Sequence, residues 1–363
     1  MSAAVAARPA GAPRLPVAAR VLVREVNWLG DLVMTLPALR AVRRAMPHAR
    51  LSVLVRRELA GFFDGARWLD EVIPYGVRRG LGGLADRGRL VAALRARRFE
   101  LAIILPRSFE SALWPALARV PRRIGFRDDA RGPLLTEAPV RSAAMLQAHQ
   151  VQDYLTLLRQ TLGIEGDAAD CAIDVEPRHR ASVDGWLAAR RRRRGPLVAL
   201  AVAAAYGPAK EWPAAHWVAL ADRLFERHGA ECVLVGAPAE RARCEQIAAA
   251  TRQGALVAAG ETSIGELLAL LARCAAFAGN DSGAMHVAGA LGVPTVGIFG
   301  STNPQRTAPL GPRTHIIYHR LECSPCLART CRFGHYDCLR RVEVHEVDEA
   351  LIAVGAFDPT HRP

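Results

Sequence analysis

Twice along its length the chain alternates short apolar runs with longer amphipathic stretches, and no other feature narrows its possible folds as far. A run of four to eight apolar residues suits a strand buried on both faces. A helix-length segment between two such runs lets the next strand lie parallel to the last. The first series begins at Arg20–Val26, turns through a glycine into a helix reaching about Met46, and continues at Leu51–Val55, Glu71–Pro74 and Leu101–Leu105. A helix over roughly 148–162 closes it, and a break follows at Gly163–Asp170. The second series starts at Leu197–Val202 and proceeds through Cys232–Gly236, Ala275–Ala278 and Thr295–Phe299. Each series predicts a doubly wound α/β sheet, and 363 residues exceed what one ordinary core covers. The expected organisation is two Rossmann-like domains facing across a cleft, at 20–185 and 195–340, preceded by a flexible tail at 1–19. A final segment, 341–363, carries a helix at Val344–Val354 expected to pack back on the first domain.

Ligands of such sheets meet the loops beyond the carboxyl ends of the strands. The first of these loops reads Asn27-Trp28-Leu29-Gly30-Asp31. Gly30 permits a tight turn or a close backbone approach. Asp31, at the start of the next helix, has two readings: a helix cap, or a general base whose pKa partial burial raises. The loop is not GxGxxG, so a dinucleotide fingerprint is absent. The second loop, Tyr206–Pro213, holds Lys210, the only lysine among 48 basic residues. A compact ammonium on a flexible stem suits a phosphate; the plainer reading is a solvated loop lysine. In the third loop, Gly279–His286, Asp281 or Ser282 can cap a helix whose first amides are placed to bind a pyrophosphate. His286, one turn in, is either a structural histidine or part of that site. Small polar residues at Phe299–Pro304 can line an anion site on the same face.

Basic residues outnumber acidic ones 48 to 35, and the net charge of +13 favours anionic partners such as phosphates, acidic headgroups or nucleic acid. Nucleic acid is not expected as a partner, because the positive charge is dispersed and aromatic residues, at 6%, offer few stacking platforms. The run Arg190–Arg194 reads either as a solvated helix end or as a contact to acidic lipid or phosphate. No stretch reaches the ~18–20 apolar residues of a membrane span, and the tail lacks the apolar run of a secretory signal. Eight cysteines are too few for a disulfide scaffold, which points to a reducing, cytoplasmic setting. Four of them cluster as Cys323, Cys326, Cys331 and Cys338, with His335 nearby. A reduced thiol-rich loop, a tetrahedral zinc or iron site, and a disulfide all fit that spacing.

The segments NWLGDLVMTLPALRAVRRAMP, YGPAKEWP and GNDSGAMHVAGALGVPTVGIFGSTNP, with the CSPC-rich tail, resemble the bacterial heptosyltransferases of glycosyltransferase family 9. The likeness runs from about Arg20 to Leu351. It implies a GT-B fold whose second domain binds ADP-L-glycero-β-D-manno-heptose through Tyr206, Glu240, Asp281, Ser282, Gly283 and His286, with Lys210 stabilising the departing ADP. It implies a first domain that presents the inner-core heptose of Kdo-lipid A beside Asn27, Trp28 and Gly30, where Asp31 is the base of an inverting displacement. The setting it implies is the cytoplasmic face of the inner membrane, in peripheral contact with it, and a monomer is expected. No cofactor is required by this reading, and no Asp-x-Asp occurs that would bridge a diphosphate through a metal. A related transferase using another nucleotide sugar or a protein acceptor is the alternative; a nucleotide-sugar epimerase lacks a glycine-rich fingerprint in support. One departure stands out: Val202-Ala203-Ala204-Ala205 occupies the place where the family usually has Pro-Gly-Ala-Glu. The change adds a methyl and removes a carboxylate close to the donor.

Overall fold

A computed structural model describes residues 18–78 and 80–358. Of the expected tail, only positions 18 and 19 fall within the described residues, and 359–363 lie outside them. The chain divides into two compact units, 1–171 and 172–363.

The first unit runs β1 (Arg20–Arg24), α1 (Leu29–Ala45), β2 (Arg50–Arg56), β3 (Glu71–Tyr75), α2 (Leu81–Ala96), β4 (Leu101–Ile104), α3 (Phe109–Leu117), β5 (Arg122–Ile124), α4 (Ala143–Gln147) and α5 (Val151–Leu162). Its parallel sheet has the order β3-β2-β1-β4-β5, with Val23 of β1 between Val53 of β2 and Ile103 of β4. Leu51–Val55 is buried without a break, as a strand covered on both faces must be. Leu22, Leu54 and Ile104 share one core with Leu90 and Leu94 of α2 and Trp114 of α3. On α1, an apolar face packs against α5.

The second unit runs α6 (Pro177–Arg190), β6 (Leu197–Ala201), α7 (Ala214–His228), β7 (Glu231–Leu234), α8 (Arg241–Ala250), β8 (Leu256–Val257), α9 (Ile264–Leu271), β9 (Ala276–Asn280), α10 (Gly283–Ala290), β10 (Thr295–Phe299), α11 (Pro304–Thr307), β11 (Thr314–Tyr318), α12 (Asp337–Arg340) and α13 (Val344–Ala353). The sheet is again parallel, in the order β11-β10-β9-β6-β7-β8. Strands β5, β8 and β11 were not anticipated. They are short or half-exposed strands at or next to the sheet edges, where the apolar signal is weakest.

Two expectations are corrected. The first domain does not extend to residue 185: α6 packs on α9, where Ser182 donates to Glu266 (2.7 Å) and Trp186 to Glu261 (2.9 Å). The arginine run beyond α6 is tied to the same unit, with Arg190 stacked on Trp186 and paired with Glu261, and Arg193 stacked on Phe225. The C-terminal helix, expected to pack back on the first domain, is part of the second unit's core. Val347 and Leu351 of α13 lie in the second unit's core with Trp212, Trp217 and Leu224. The polar anchor is Asp348, fully buried, which accepts hydrogen bonds from Arg223 (2.7 Å), Arg227 and His228 (2.8 Å) of α7.

Removing the Asp348 carboxylate leaves a void in the core and takes the shared partner from two partly exposed guanidinia and the largely buried His228. Asp348→Ala is therefore expected to lower stability by about 2 kcal/mol, read as a reduced thermal midpoint. An unchanged midpoint would mean that apolar packing alone holds α13.

Candidate active site

Strand order reverses once in each sheet, between β1 and β4 and between β6 and β9, and ligands of open α/β sheets bind at the carboxyl end of such a reversal. Asp31 stands at the first. The helix begins at Leu29 with Trp28 in the capping position and no side-chain cap, so Asp31 sits in the first turn and does not occupy the cap. Its Oδ1 accepts a hydrogen bond from the Gln150 amide (3.2 Å), which also donates to the Tyr154 hydroxyl (2.8 Å). Burial and the nearby Asp31 charge push the Tyr154 hydroxyl far above its ordinary pKa, so it stays protonated. Asn27 Oδ1 accepts from the Tyr75 hydroxyl (2.9 Å) and from Arg24 (3.2 Å), and the Arg24 guanidinium lies over the rings of Tyr75 and Trp114. Trp28 is exposed, whereas Gly30 is buried.

Beneath this loop lies Glu25, fully buried at the end of β1. Its Oε2 accepts from the Thr35 hydroxyl (3.1 Å) and the Val26 amide (3.2 Å), while Oε1 has no partner. Burial raises its pKa to about 7 against those two bonds.

At the second reversal, Lys210 comes from a 3-10 turn after β6 and Asp281 from the end of β9. Nζ of Lys210 meets Asp281 Oδ2 at 2.5 Å and lies over the Tyr206 ring; Thr302 donates to the same carboxylate oxygen (2.6 Å). Backbone contacts fix the two loops. The Trp212 amide donates to Asn280 Oδ1 (2.9 Å) and the Ala209 amide to the Arg329 carbonyl (3.0 Å). Gly207 has φ of 141°, and a Cβ there would fall 2.6 Å from that carbonyl, so only glycine fits. Ser282 caps α10 by position, but its hydroxyl makes no cap bond and is buried without a partner, as is that of Ser301 after β10. Gly283 opens α10 and His286 is buried in its first turn. Two unsatisfied hydroxyls beside helix amides and an ammonium are suited to an anion.

Glu240 closes the 3-10 turn Pro238–Glu240 between β7 and α8, where its Oε2 accepts from the Ala237 amide (2.7 Å). Burial raises its pKa. Val202 of the divergent run belongs to the hydrophobic core beside Trp212, and the Ala204 amide donates to Glu211 (3.3 Å). The four clustered cysteines are free thiols around one small cavity that Ala209 and Ser301 also line. Burial and the neighbouring thiols push Cys338 up to about 11, whereas backbone amides, that of Tyr336 foremost, lower Cys331. Among the described residues no group of three or more His, Cys, Asp or Glu is arranged to hold a metal ion. Gln150 and Tyr154 were not singled out from sequence and carry no local signal there; Ser301 and Thr302 belong to the small polar loop read as able to line an anion site.

Two doubly wound α/β units with polar groups gathered at their strand reversals give a GT-B-like fold. The solved Escherichia coli ADP-heptose lipopolysaccharide heptosyltransferase II superposes with a TM-score of 0.77 at 26% identity, covering 92% of this chain and 98% of that one. The chain belongs to glycosyltransferase family 9 (heptosyltransferase), whose family model matches residues 87–337. Lipopolysaccharide heptosyltransferase 2 of Salmonella typhimurium is 31% identical over 320 residues, 83% of this chain and 90% of that protein. A family 9 glycosyltransferase from Veillonella parvula shares the fold with a TM-score of 0.84 at 21% identity, covering 95% of this chain and 99% of that one.

The protonation of Glu25 has a measurable signature. Its folded pKa is raised from 4.5 to about 7, so between those values the folded state holds a proton that the unfolded chain has released. Stability contributed by this site therefore falls as pH rises through that window, by up to about 3 kcal/mol. Glu25→Gln is expected to raise the thermal midpoint more at pH 8 than at pH 5. An equal change at both would assign the titration elsewhere.

Proposed function

We propose that this chain is an inverting, metal-independent transferase that moves L-glycero-D-manno-heptose from ADP-heptose to the inner-core heptose of Kdo-lipid A in lipopolysaccharide core assembly. Family membership and relatives named lipopolysaccharide heptosyltransferase 2, which align over most of both chains, support the reaction class. The observation that carries the donor half is the Lys210 ammonium, anchored by Asp281, with the unpartnered hydroxyls of Ser282 at the start of α10 and of Ser301 after β10. There the diphosphate meets a positive field supplied entirely by protein groups, and charge building on the leaving ADP is stabilised. Tyr206, Gly283, His286 and Glu240 complete the donor half, Glu240 on the nucleoside side.

In the acceptor half, Asp31 takes the proton of the attacking hydroxyl as that oxygen bonds to the anomeric carbon and ADP departs, inverting the centre. Gln150 holds one oxygen of the carboxylate, and Asn27, Trp28 and Gly30 shape the loop around the acceptor. The enzyme works as a cytoplasmic monomer in peripheral contact with the inner membrane; no described helix is long and apolar enough to cross one. The cysteine loop braces the donor loop as reduced thiols. Stoichiometric zinc or iron in the purified protein would reassign it as a structural metal site. A second reading, transfer of a different sugar or to a protein, is favoured by the alanines at 203–205.

The test is ADP release from ADP-heptose with and without a heptosyl-Kdo-lipid A acceptor, beside UDP-sugar controls and EDTA. Acceptor-dependent release that EDTA leaves unchanged is the expected result, and release only from another nucleotide sugar would overturn the donor. Asp31→Ala is expected to abolish transfer with ADP affinity nearly unchanged; a matching loss of ADP binding would make Asp31 structural. Lys210→Ala should slow transfer at least tenfold, and an unchanged rate removes the lysine from the chemistry.

A further inference from the structure

Charge and exposed apolar surface are divided unequally between the two units. Residues 1–171 contain 26 basic and 16 acidic side chains, a net +10, whereas 172–363 contain 22 and 19, a net +3. Six of the nine large apolar side chains exposed among the described residues also belong to the first unit. Four of them, apart from the Asp31 loop, come from segments beyond the carboxyl ends of its strands: Leu84 (65% exposed) after β3, Phe109 (42%) after β4, and Val140 (67%) and Leu146 (50%) after β5.

Polar contacts show that these segments adjoin one another. Arg87 of α2 pairs with Glu110 of α3 (2.6 Å), and the Phe109 amide donates to Asp129 (2.6 Å) in the loop after β5. Asp128 in that loop pairs with Arg107 (3.6 Å) and Arg141, which flank Phe109 and Val140 in sequence. Arg78, Arg107 and Arg127 are exposed along the same edge. Apolar side chains that water solvates poorly, set among guanidinia, match a surface whose interior is hydrocarbon and whose face is anionic. Basic groups alone would suit any polyanion; the interleaved leucine, phenylalanine and valine single out a lipid surface.

We propose that the carboxyl edge of the first sheet, around Leu84, Phe109, Val140 and Leu146, is the face by which this protein docks on an anionic bilayer. The inference rests on the proposed peripheral membrane contact and assigns it to particular residues. Insertion of the apolar side chains among headgroups and attraction of the guanidinia to lipid phosphates act together, so binding weakens with salt.

Flotation of the full chain with phosphatidylglycerol-containing vesicles, beside pure phosphatidylcholine vesicles, reads this directly. The expected result is capture by the anionic vesicles only, released by 0.5 M NaCl at about three times physiological ionic strength. Replacing Leu84, Phe109, Val140 and Leu146 together by serine leaves the charge unchanged, and is expected to reduce capture at least tenfold. The same variant should keep the wild-type thermal midpoint and turn over a delipidated acceptor at the wild-type rate. Wild-type capture by that variant, or no capture of the parent protein by anionic vesicles, overturns the proposal. Failure of both proteins on the delipidated acceptor would instead count against the transferase reading, because that assay contains no membrane.

Discussion

The ion pair between Lys210 and Asp281 joins the loop after β6 to the loop after β9, and the second unit's site is arranged around it. Those strands are neighbours whose crossovers leave in opposite directions, so nothing in the sheet itself closes the gap between their loops. One charge-assisted bond does so, and Thr302 from the next strand's loop donates to the same carboxylate. Three successive strand ends, β6, β9 and β10, thus converge on one oxygen. The Trp212–Asn280 bond repeats the link through backbone and amide.

In the first unit the corresponding position is governed by desolvation. Asp31 takes its orientation from Gln150, whose amide is shared with the buried hydroxyl of Tyr154, while Glu25 lies deeper with one carboxylate oxygen unsatisfied. Burial in this low-dielectric floor disfavours a charge on Glu25 and raises its pKa to about 7.

Most strands and all three chemical loops were legible in the sequence, because parallel strands buried on both faces write continuous apolar runs such as Leu51–Val55. What escaped depended on pairings between distant residues. Gln150 is an ordinary polar residue ahead of an amphipathic helix, and only the fold places it against Asp31. The cap reading of Asp31 followed from residue preference, yet Trp28, a poor capper, occupies that position. Helix α6 is weakly amphipathic, so its allegiance to α9 is set by Ser182, Asp184 and Trp186, each a surface residue in sequence terms. For the same reason the place of α13 in the second unit's core was not legible: its apolar face was visible, but the basic cluster on α7 that receives Asp348 was not. The cysteine spacing admitted three readings, and the structure brings the thiols to one cavity as free groups.

Lys210 is the only side-chain amine in the chain, since every other basic group is a guanidinium or an imidazole. Its nitrogen is nucleophilic only when it leaves Asp281 and sheds its proton. Acylation therefore leaves a stable amide on one side chain only, and the rate at which that amide forms reports the opening of a single ion pair.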